Sequence, residues 1–310
     1  YVRQERLLTL EEAVRRMTSL PADIFGLPDR GRLRRGAVAD VVTFDAAEVA
    51  DRATYENPAA RPAGMGFVLQ DGHVVVRDFQ VDSAGQHGLE VATNLSGDTV
   101  RNGTITASGS EGLRVLSTMA GLSQVQVTGS GSYGFRGLAQ NLHLLAPDSA
   151  SHDPILGNAR DTLVITGGTI TGATQGVRPD VPWRVEADVG IAGAGGLLQV
   201  RPGATVKLAT TAQLFFDTGG RLEARGTPTD TVRFTAITPG SHWEALRFLG
   251  TPGDTSWITN AVVEWGGRSV SWAAIDGETT THPVVVDSSR VRSSNYYGVS
   301  LYGGGSRMSR

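Results

Sequence analysis

From about Val81 onward, apolar residues come in short runs cut by glycine or by a small polar pair. One pattern recurs there: an apolar pair, a small or polar turn, an apolar residue and, seven positions on (six in the third copy), Gly followed by an apolar residue. Copies begin at Val100, Val125, Val164 and Val286 and reach Gly112-Leu113, Gly134-Phe135, Gly176-Val177 and Gly298-Val299. The glycines at 112, 134 and 176 are 22 and 42 residues apart, which suggests a beat near 22. The first eighty residues read differently. Thr9 and Glu12 have capping-box spacing: the hydroxyl accepts from an early amide and the carboxylate reaches back. Leu10, Ala13, Val14 and Met17 share one helical face. Pro21 is expected to end this helix and to start a second over 22–27. Two β runs follow, 38–44 and 67–76, the second broken at Asp71-Gly72, a pair that favours a tight hairpin turn.

A period near 22 suits one coil of a parallel β-helix, three short strands and three turns. A coil cannot bury its inner face alone, so stacked coils share one apolar column. At about 22 residues per coil, 81–310 would make roughly ten coils. Propeller blades would need a period near 40–50, and hairpin architectures would need many Asn-Gly or Asp-Gly turns. The expected fold is mainly β: a right-handed parallel β-helix over 81–310, preceded by a small α+β piece over 1–80.

Composition sharpens the boundary. Residues 1–80 hold 23 of the 59 charged side chains, so charge density falls from about 29% to about 16% past residue 80. Forty glycines, about 13% of the chain, punctuate apolar runs and follow no collagen period. The net charge of −3 points to neither a nucleic-acid nor an anionic-membrane partner. Lys207 is the only lysine; the other basic residues are arginines interspersed with acids. With no cysteine, disulfides and thiolate–metal sites are excluded. No apolar run approaches the roughly 20 residues of a membrane helix. The chain opens at Tyr1 in what reads as mid-domain and is taken as a fragment.

The segment Gly31-Arg-Leu33-Arg-Arg-Gly36-Ala-Val-Ala39-Asp40, with a β run ending at Asp45, resembles the C-terminal signature of the amidohydrolase superfamily. More narrowly, residues 1–78, including Asp51-Arg52-Ala53-Thr54-Tyr55-Glu56-Asn57-Pro58, resemble N-acyl-D-amino-acid deacylases (D-aminoacylases). The resemblance implies (β/α)₈-barrel hydrolases that use zinc to activate water against an N-acyl amide. The family's metal-binding histidines and catalytic aspartate precede the matched stretch, so no catalytic or metal residue is carried onto this chain. The stretch corresponds to the family's last helix and part of a small β-sandwich. Without its partner strands such a sheet exposes apolar surface and edges. The resemblance stops at Asp78, with no linker before Phe79, which an artificial join of two genes would also produce.

The second region resembles bacterial right-handed parallel β-helix repeat proteins. The residues that carry this are Pro202-Gly203-Ala-Thr-Val206-Lys-Leu208, Gly220-Arg-Leu222-Glu-Ala224-Arg-Gly226-Thr227, Trp243-Glu-Ala-Leu246-Arg-Phe248 and Val263-Glu264-Trp265-Gly266-Gly267. Many members of that family have no assigned activity.

Chemical motifs are sparse. His73, His87, His143, His152, His242 and His282 show no metal-ligand spacing and read as surface or turn residues. Gly129-Ser-Gly131-Ser-Tyr-Gly134 fits G-x-G-x-x-G, but Phe135-Arg-Gly137 does not start a helix, so it reads as a coil turn. β-Helix enzymes that cut polysaccharides set carboxylates on one exposed sheet. Asp153, Asp161, Arg178, Asp180, Glu264, Asp276 and Asp287 are the possible members here. Acids on successive coils would stand about 4.8 Å apart, close enough for an acid–base pair. Glu264 reads as structural. Trp243, Trp257, Trp272, Tyr296 and Tyr297, with Trp265 and Tyr302 nearby, could stack on sugar if exposed; core packing is the competing reading.

The sequence thus yields three expectations: a catalytically incompetent deacylase segment joined to a non-catalytic β-helix scaffold or carbohydrate-contact surface, a β-helix polysaccharide lyase or glycosidase, or an artificial fusion. The partner would be a polysaccharide or cell-surface glycan. The β-helix leans extracellular, while the deacylase part is compatible with cytoplasm or periplasm.

Overall fold

The computed structural model describes residues 2–55, 62–92, 97–145, 155–173, 176–251, 255–269, 273–277, 282–302 and 305–309. The chain forms two compact units, the first containing residues 1–79, 95–101 and 119–121 and the second the remainder.

In the first unit, α1 (Leu10–Met17) begins where Thr9, in extended conformation, accepts a hydrogen bond from the Glu12 amide at 3.3 Å. Half of the expected capping box is therefore present. The Glu12 carboxylate does not reach back; it takes Arg15 and Arg16, each at 2.7 Å. Hydrogen bonds from these two arginines lower its pKa to about 2. The first helix ends at Met17, and α2 (Ser19–Ile24) contains Pro21 instead of following it. Proline is tolerated there because first-turn amides have no intrahelical acceptor.

Strands β1 (Val41–Phe44), β2 (Met65–Gln70) and β3 (His73–Asp82) follow. β1 pairs antiparallel with β2, and β2 with β3. The turn between β2 and β3 is Asp71-Gly72, with φ of 51° and 84°. Positive φ at both central residues matches the twist of a two-residue hairpin, as the sequence predicts.

The second unit is a parallel β-solenoid of about eight turns. Its sheets have nine, six and five strands, and their described pairings are parallel. In the nine-stranded sheet one inward column runs Leu89, Leu113, Phe135, Leu163, Trp183, Val206, Phe234, Val263 and Val291, each in register with the next. From Trp183 to Val263 these side chains are fully enclosed. The six-stranded sheet supplies Val189, Leu214, Leu246, Ile275 and Val299, again in register. Phe216 and Phe248 stack with ring centroids 4.8 Å apart. Each fully buried side chain of this size contributes roughly 1.5–3 kcal/mol.

The uniform 22-residue beat does not hold. Along the first column the spacings are 24, 22, 28, 20, 23, 28, 29 and 28 residues. Longer coils explain why the same length makes about eight turns instead of ten. Corners lengthen freely while strands stay in register, because only strands contribute to the ladder. Some corners are minimal: Asn260 alone, at φ 45°, turns the strand Ser256–Thr259 into Ala261–Glu264.

Nor are the four motif glycines equivalent. Gly88 and Gly112 stand just before strands of the nine-stranded sheet, and Gly134 is the second residue of one, Tyr133–Gly137. A Cβ at Gly88, Gly112 or Gly134 would lie 2.6 Å from Ser108 Oγ, Ser130 Oγ or Asn158 Nδ2. It would also collide with Ile105, Val127 or Ile155 of the adjoining strand or corner. These glycines admit the next rung's side chain. Gly176 instead has φ +82°, and Gly298 has open space around it apart from Val291 at 3.5 Å.

His282 corrects the surface reading of the histidines, since it is 2% exposed. Its Nδ1 lies 3.3 Å from the Leu249 carbonyl and its Nε2 2.9 Å from Ser256 Oγ. Ser256 Oγ also accepts from the Leu222 amide at 3.0 Å. This chain is fully satisfied by one arrangement: Nδ1–H donates to Leu249, and Ser256 donates to an unprotonated Nε2. Burial lowers the imidazole pKa, partly opposed by the Leu249 carbonyl.

Two measurements check these packing arguments. Gly112→Ala should cost about 1–3 kcal/mol of stability by overpacking, whereas Gly172→Ala, where nothing lies within 4 Å, should shift it by under about 0.5 kcal/mol. Equal denaturant midpoints for the two variants would contradict the rung-contact account. For His282, the folded pKa lies below the ordinary 6.5, so the unfolded chain binds the proton first. Stability is then full above about pH 6.5 and declines as the pH falls toward the folded pKa. The thermal midpoint should drop between about pH 7.5 and about pH 5.5 by more in the parent than in His282→Gln; parallel pH profiles would refute this.

Candidate functional site

In the first unit the signature segment is structural. Arg30 pairs with Asp40 and lies 3.8 Å from Asp71. Asp40 also accepts from the Asp71 amide at 3.0 Å, and the Gly72 amide donates to the Ala39 carbonyl at 3.0 Å. Ala39-Asp40 therefore anchors the hairpin turn. Gly31, at φ +76°, passes so close to the second helix that a Cβ would sit 2.7 Å from the Thr18 carbonyl and 2.8 Å from Ala22.

The same unit holds an open apolar groove of about 1230 Å³, lined among others by Leu10, Val14, Met17, Val41, Phe44 and Met65. None of α1's residues is buried. Leu33 is 86% and Met17 71% exposed. An amphipathic helix with no buried residue is a helix whose apolar face is uncovered.

Zinc, which the family resemblance implies, does not fit the residues described: among them no group of three or more His, Asp or Glu side chains comes together.

In the solenoid, the predicted acids are placed apart. Asp276 stands in register with Arg247 and Ser300, Asp287 with Thr259 and Ser309, and Glu264 with Arg292. None of these three faces another acid across adjacent strands. Asp161 caps the Gly157 and Asn158 amides at 3.1 and 2.8 Å, and Arg178 lies 3.4 Å from Asp180. Glu264 is held between Arg233 and Arg292, each at 2.7 Å. Burial raises its pKa, but the hydrogen bonds from the two arginines outweigh it and hold the carboxyl below its ordinary value. Asp153 lies outside the described residues.

The aromatic candidates divide. Trp243 is fully buried, with Nε1 donating to the Glu264 carbonyl at 2.9 Å; an enclosed indole has no face for a sugar, so it is a core residue. Trp257 is half-buried on the outside of a five-stranded sheet, with the Arg225 guanidinium 4.3 Å above its ring. Tyr296 and Tyr297 are 51% and 63% exposed. Tyr297 begins a strand of the six-stranded sheet, so it and Trp257 do not share a column. Trp272 lies outside the described residues. Of Gly129–Gly134, residues 129–132 form the turn between two strands, as expected, and Tyr133-Gly134 begins the second of them. The Ser256–His282 pair, absent from the sequence reading because its partners are 26 residues apart, is too enclosed to meet a substrate.

What the sequence reading missed is the outer face of the nine-stranded sheet. Its strand-centre column reads Glu90, Arg114, Arg136, Val164, Arg184, Lys207 and Thr235 in register, and further along Glu264 and Arg292. Arg136 and Arg184 both pair with Glu186, the latter at 3.0 Å. The signal in the sequence was the basic residue inside most of these short strands, visible only once the register is known.

Comparison with known proteins bears on the first unit. Residues 1–76 match the amidohydrolase family. Over 75 residues of its N-terminal region the chain is 59% identical to N-acyl-D-glutamate deacylase of Alcaligenes xylosoxydans xylosoxydans, covering 24% of this chain and 15% of that protein. D-aminoacylase of the same organism is 46% identical over 91 residues, 29% of this chain and 18% of that protein. N-acyl-D-aspartate deacylase is 46% identical over 74 residues, 24% and 15% of the two chains. The chain therefore spans under a fifth of the length of these curated relatives. No solved structure matches. Residues 1–76 match the amidohydrolase family and are similar to D-amino-acid deacylases, and the sequence after them forms a parallel β-solenoid.

Proposed function

We propose that residues 1–79 are the closing portion of an N-acyl-D-amino-acid deacylase-type amidohydrolase, that this chain alone does not hydrolyse N-acyl amides, and that its solenoid is a non-catalytic scaffold with a carbohydrate-contact surface. The observation that carries the first part is the 59% identity to N-acyl-D-glutamate deacylase, confined to 75 residues. Within residues 1–76, which match the amidohydrolase family, the structure gives Thr9, Gly31, Asp40 and Asp71-Gly72 capping, packing and turn roles. The apolar groove supports it further: Met17, Leu33, Val42 and Met65 are exposed in this unit, and burying such a surface against the rest of an amidohydrolase would remove a large apolar patch from water. The scaffold role is favoured by the candidate acids among the described residues: Glu264 is engaged with arginines, Asp161 with amides and Asp287 with a hydroxyl, and neither Glu264, Asp276 nor Asp287 stands over another acid.

The direct test is hydrolysis of N-acetyl-D-glutamate in the presence of zinc. This chain should release no D-glutamate above a zinc-only blank, while an intact N-acyl-D-glutamate deacylase does. Zinc-dependent release by the chain alone would overturn the proposal. In a second arm, a deacylase deprived of the segment matching residues 1–75 should regain activity on mixing with this chain and not with its Val42→Asp/Met65→Asp variant. Equal rescue by both would remove the groove from the proposal.

A further inference from the structure

The protein carries a net charge of −3, yet the outer face of the nine-stranded sheet is basic. Arg114, Arg136, Arg184 and Lys207 occupy its central column, and Arg292 continues beyond Glu264. A neighbouring column holds Thr205, Arg233, Val262 and Arg290. These seven cations face four carboxylates: Glu90, Glu264 and, just outside the strands Trp183–Val185 and Leu113–Val115, Glu186 and Glu111. In the strand Arg160–Ile165, Arg160 and Asp161 offset each other. The sheet thus carries an excess of positive charge on a protein whose total is negative, so the remainder is correspondingly acidic.

The arrangement is linear. Rungs of a β-sheet lie about 4.8 Å apart, so the cations form a line parallel to the stacking axis. A compact partner would meet two or three of them; an extended polyanion laid along the axis meets all. The face also shows which anion its forks accept. Glu186 is shared by Arg184 of the strand it follows and Arg136 two strands away, and Glu264 by Arg233 and Arg292 from the strands on either side. Planar guanidinium groups match carboxylate or sulfate in this way. Lys207 and Arg290 are exposed, and no ion pair engages them among the described residues. Single-stranded nucleic acid calls for aromatic platforms for its bases, and neither outward column contains an aromatic residue.

We propose that the outer face of the nine-stranded sheet binds a linear acidic polysaccharide, uronate or sulfated, along the solenoid axis through the ladder from Arg114 to Arg292. This rests on the scaffold reading of the solenoid and is independent of the deacylase reading of the first unit.

The test titrates the intact chain with polygalacturonate, heparin, neutral dextran and single-stranded DNA. At least one anionic glycan should bind, dextran should not, and the affinity should fall as salt is raised. Lys207→Glu with Arg290→Glu should weaken binding by at least about tenfold, while Arg307→Glu, on another sheet, should change it by less than about twofold. Should the double reversal lower the thermal midpoint, Lys207→Gln with Arg290→Gln provides the charge deletion, again with a several-fold loss expected. Absence of glycan binding above dextran would overturn the proposal. So would equal loss in Arg307→Glu, or tighter binding of DNA than of both glycans. Binding lost on Tyr296→Ala/Tyr297→Ala and kept in the Lys207/Arg290 variants would leave the scaffold reading standing and sink this one.

Discussion

Parallel backbone pairing between successive rungs is the constraint on which the solenoid depends. Each residue in a strand stands directly over its counterpart, so a side chain's position on one rung dictates what the next can hold. Inward columns must then be apolar throughout: Trp183, Val206, Phe234 and Val263 succeed one another without a polar interruption. Where a neighbouring side chain leans across, the facing residue must be glycine, as at Gly88, Gly112 and Gly134. Ser256 and His282 are tolerated inside because their hydrogen bonds close on one another and on the Leu222 and Leu249 backbone.

The same registration acts on the outside, where no packing demand selects the residue. An outward column concentrates whatever charge its rungs carry. Like charges in register repel, and the protein tempers this by inserting Glu186 and Glu264 between arginines. The surplus of cations remains, and it is this surplus, together with its linear spacing, that gives the face a chemical preference.

The first unit obeys a different logic. Its strands are antiparallel, its helices are short, and its large side chains are among the most exposed in the protein. Propensity and capping form the helices: Thr9 caps, and Glu12 ties two arginines along one turn. Such local interactions shape the elements but do not bury them. A groove lined by Leu10, Val14, Met17 and Met65 is a surface suited to a further packing partner.

Short-range physics made several features legible in the sequence. The Thr9 cap, the Asp71-Gly72 turn, the change of character near residue 80 and the parallel stacking of short apolar runs all depend on residues within one turn or on composition. The deacylase likeness of residues 1–76 was equally readable, because it lies in contiguous sequence. Tertiary structure alone decided which residues share a column, since corners of variable length, from the single residue Asn260 to coils of 29 residues, shift the count between rungs. That is why a 22-residue beat overstated the number of turns, why Trp243 proved to be core, why Asp276 met Arg247 instead of another acid, and why the basic ladder could not be seen beforehand. Composition and pattern specify that strands will stack; only the closed backbone ladder fixes what each side chain stacks upon.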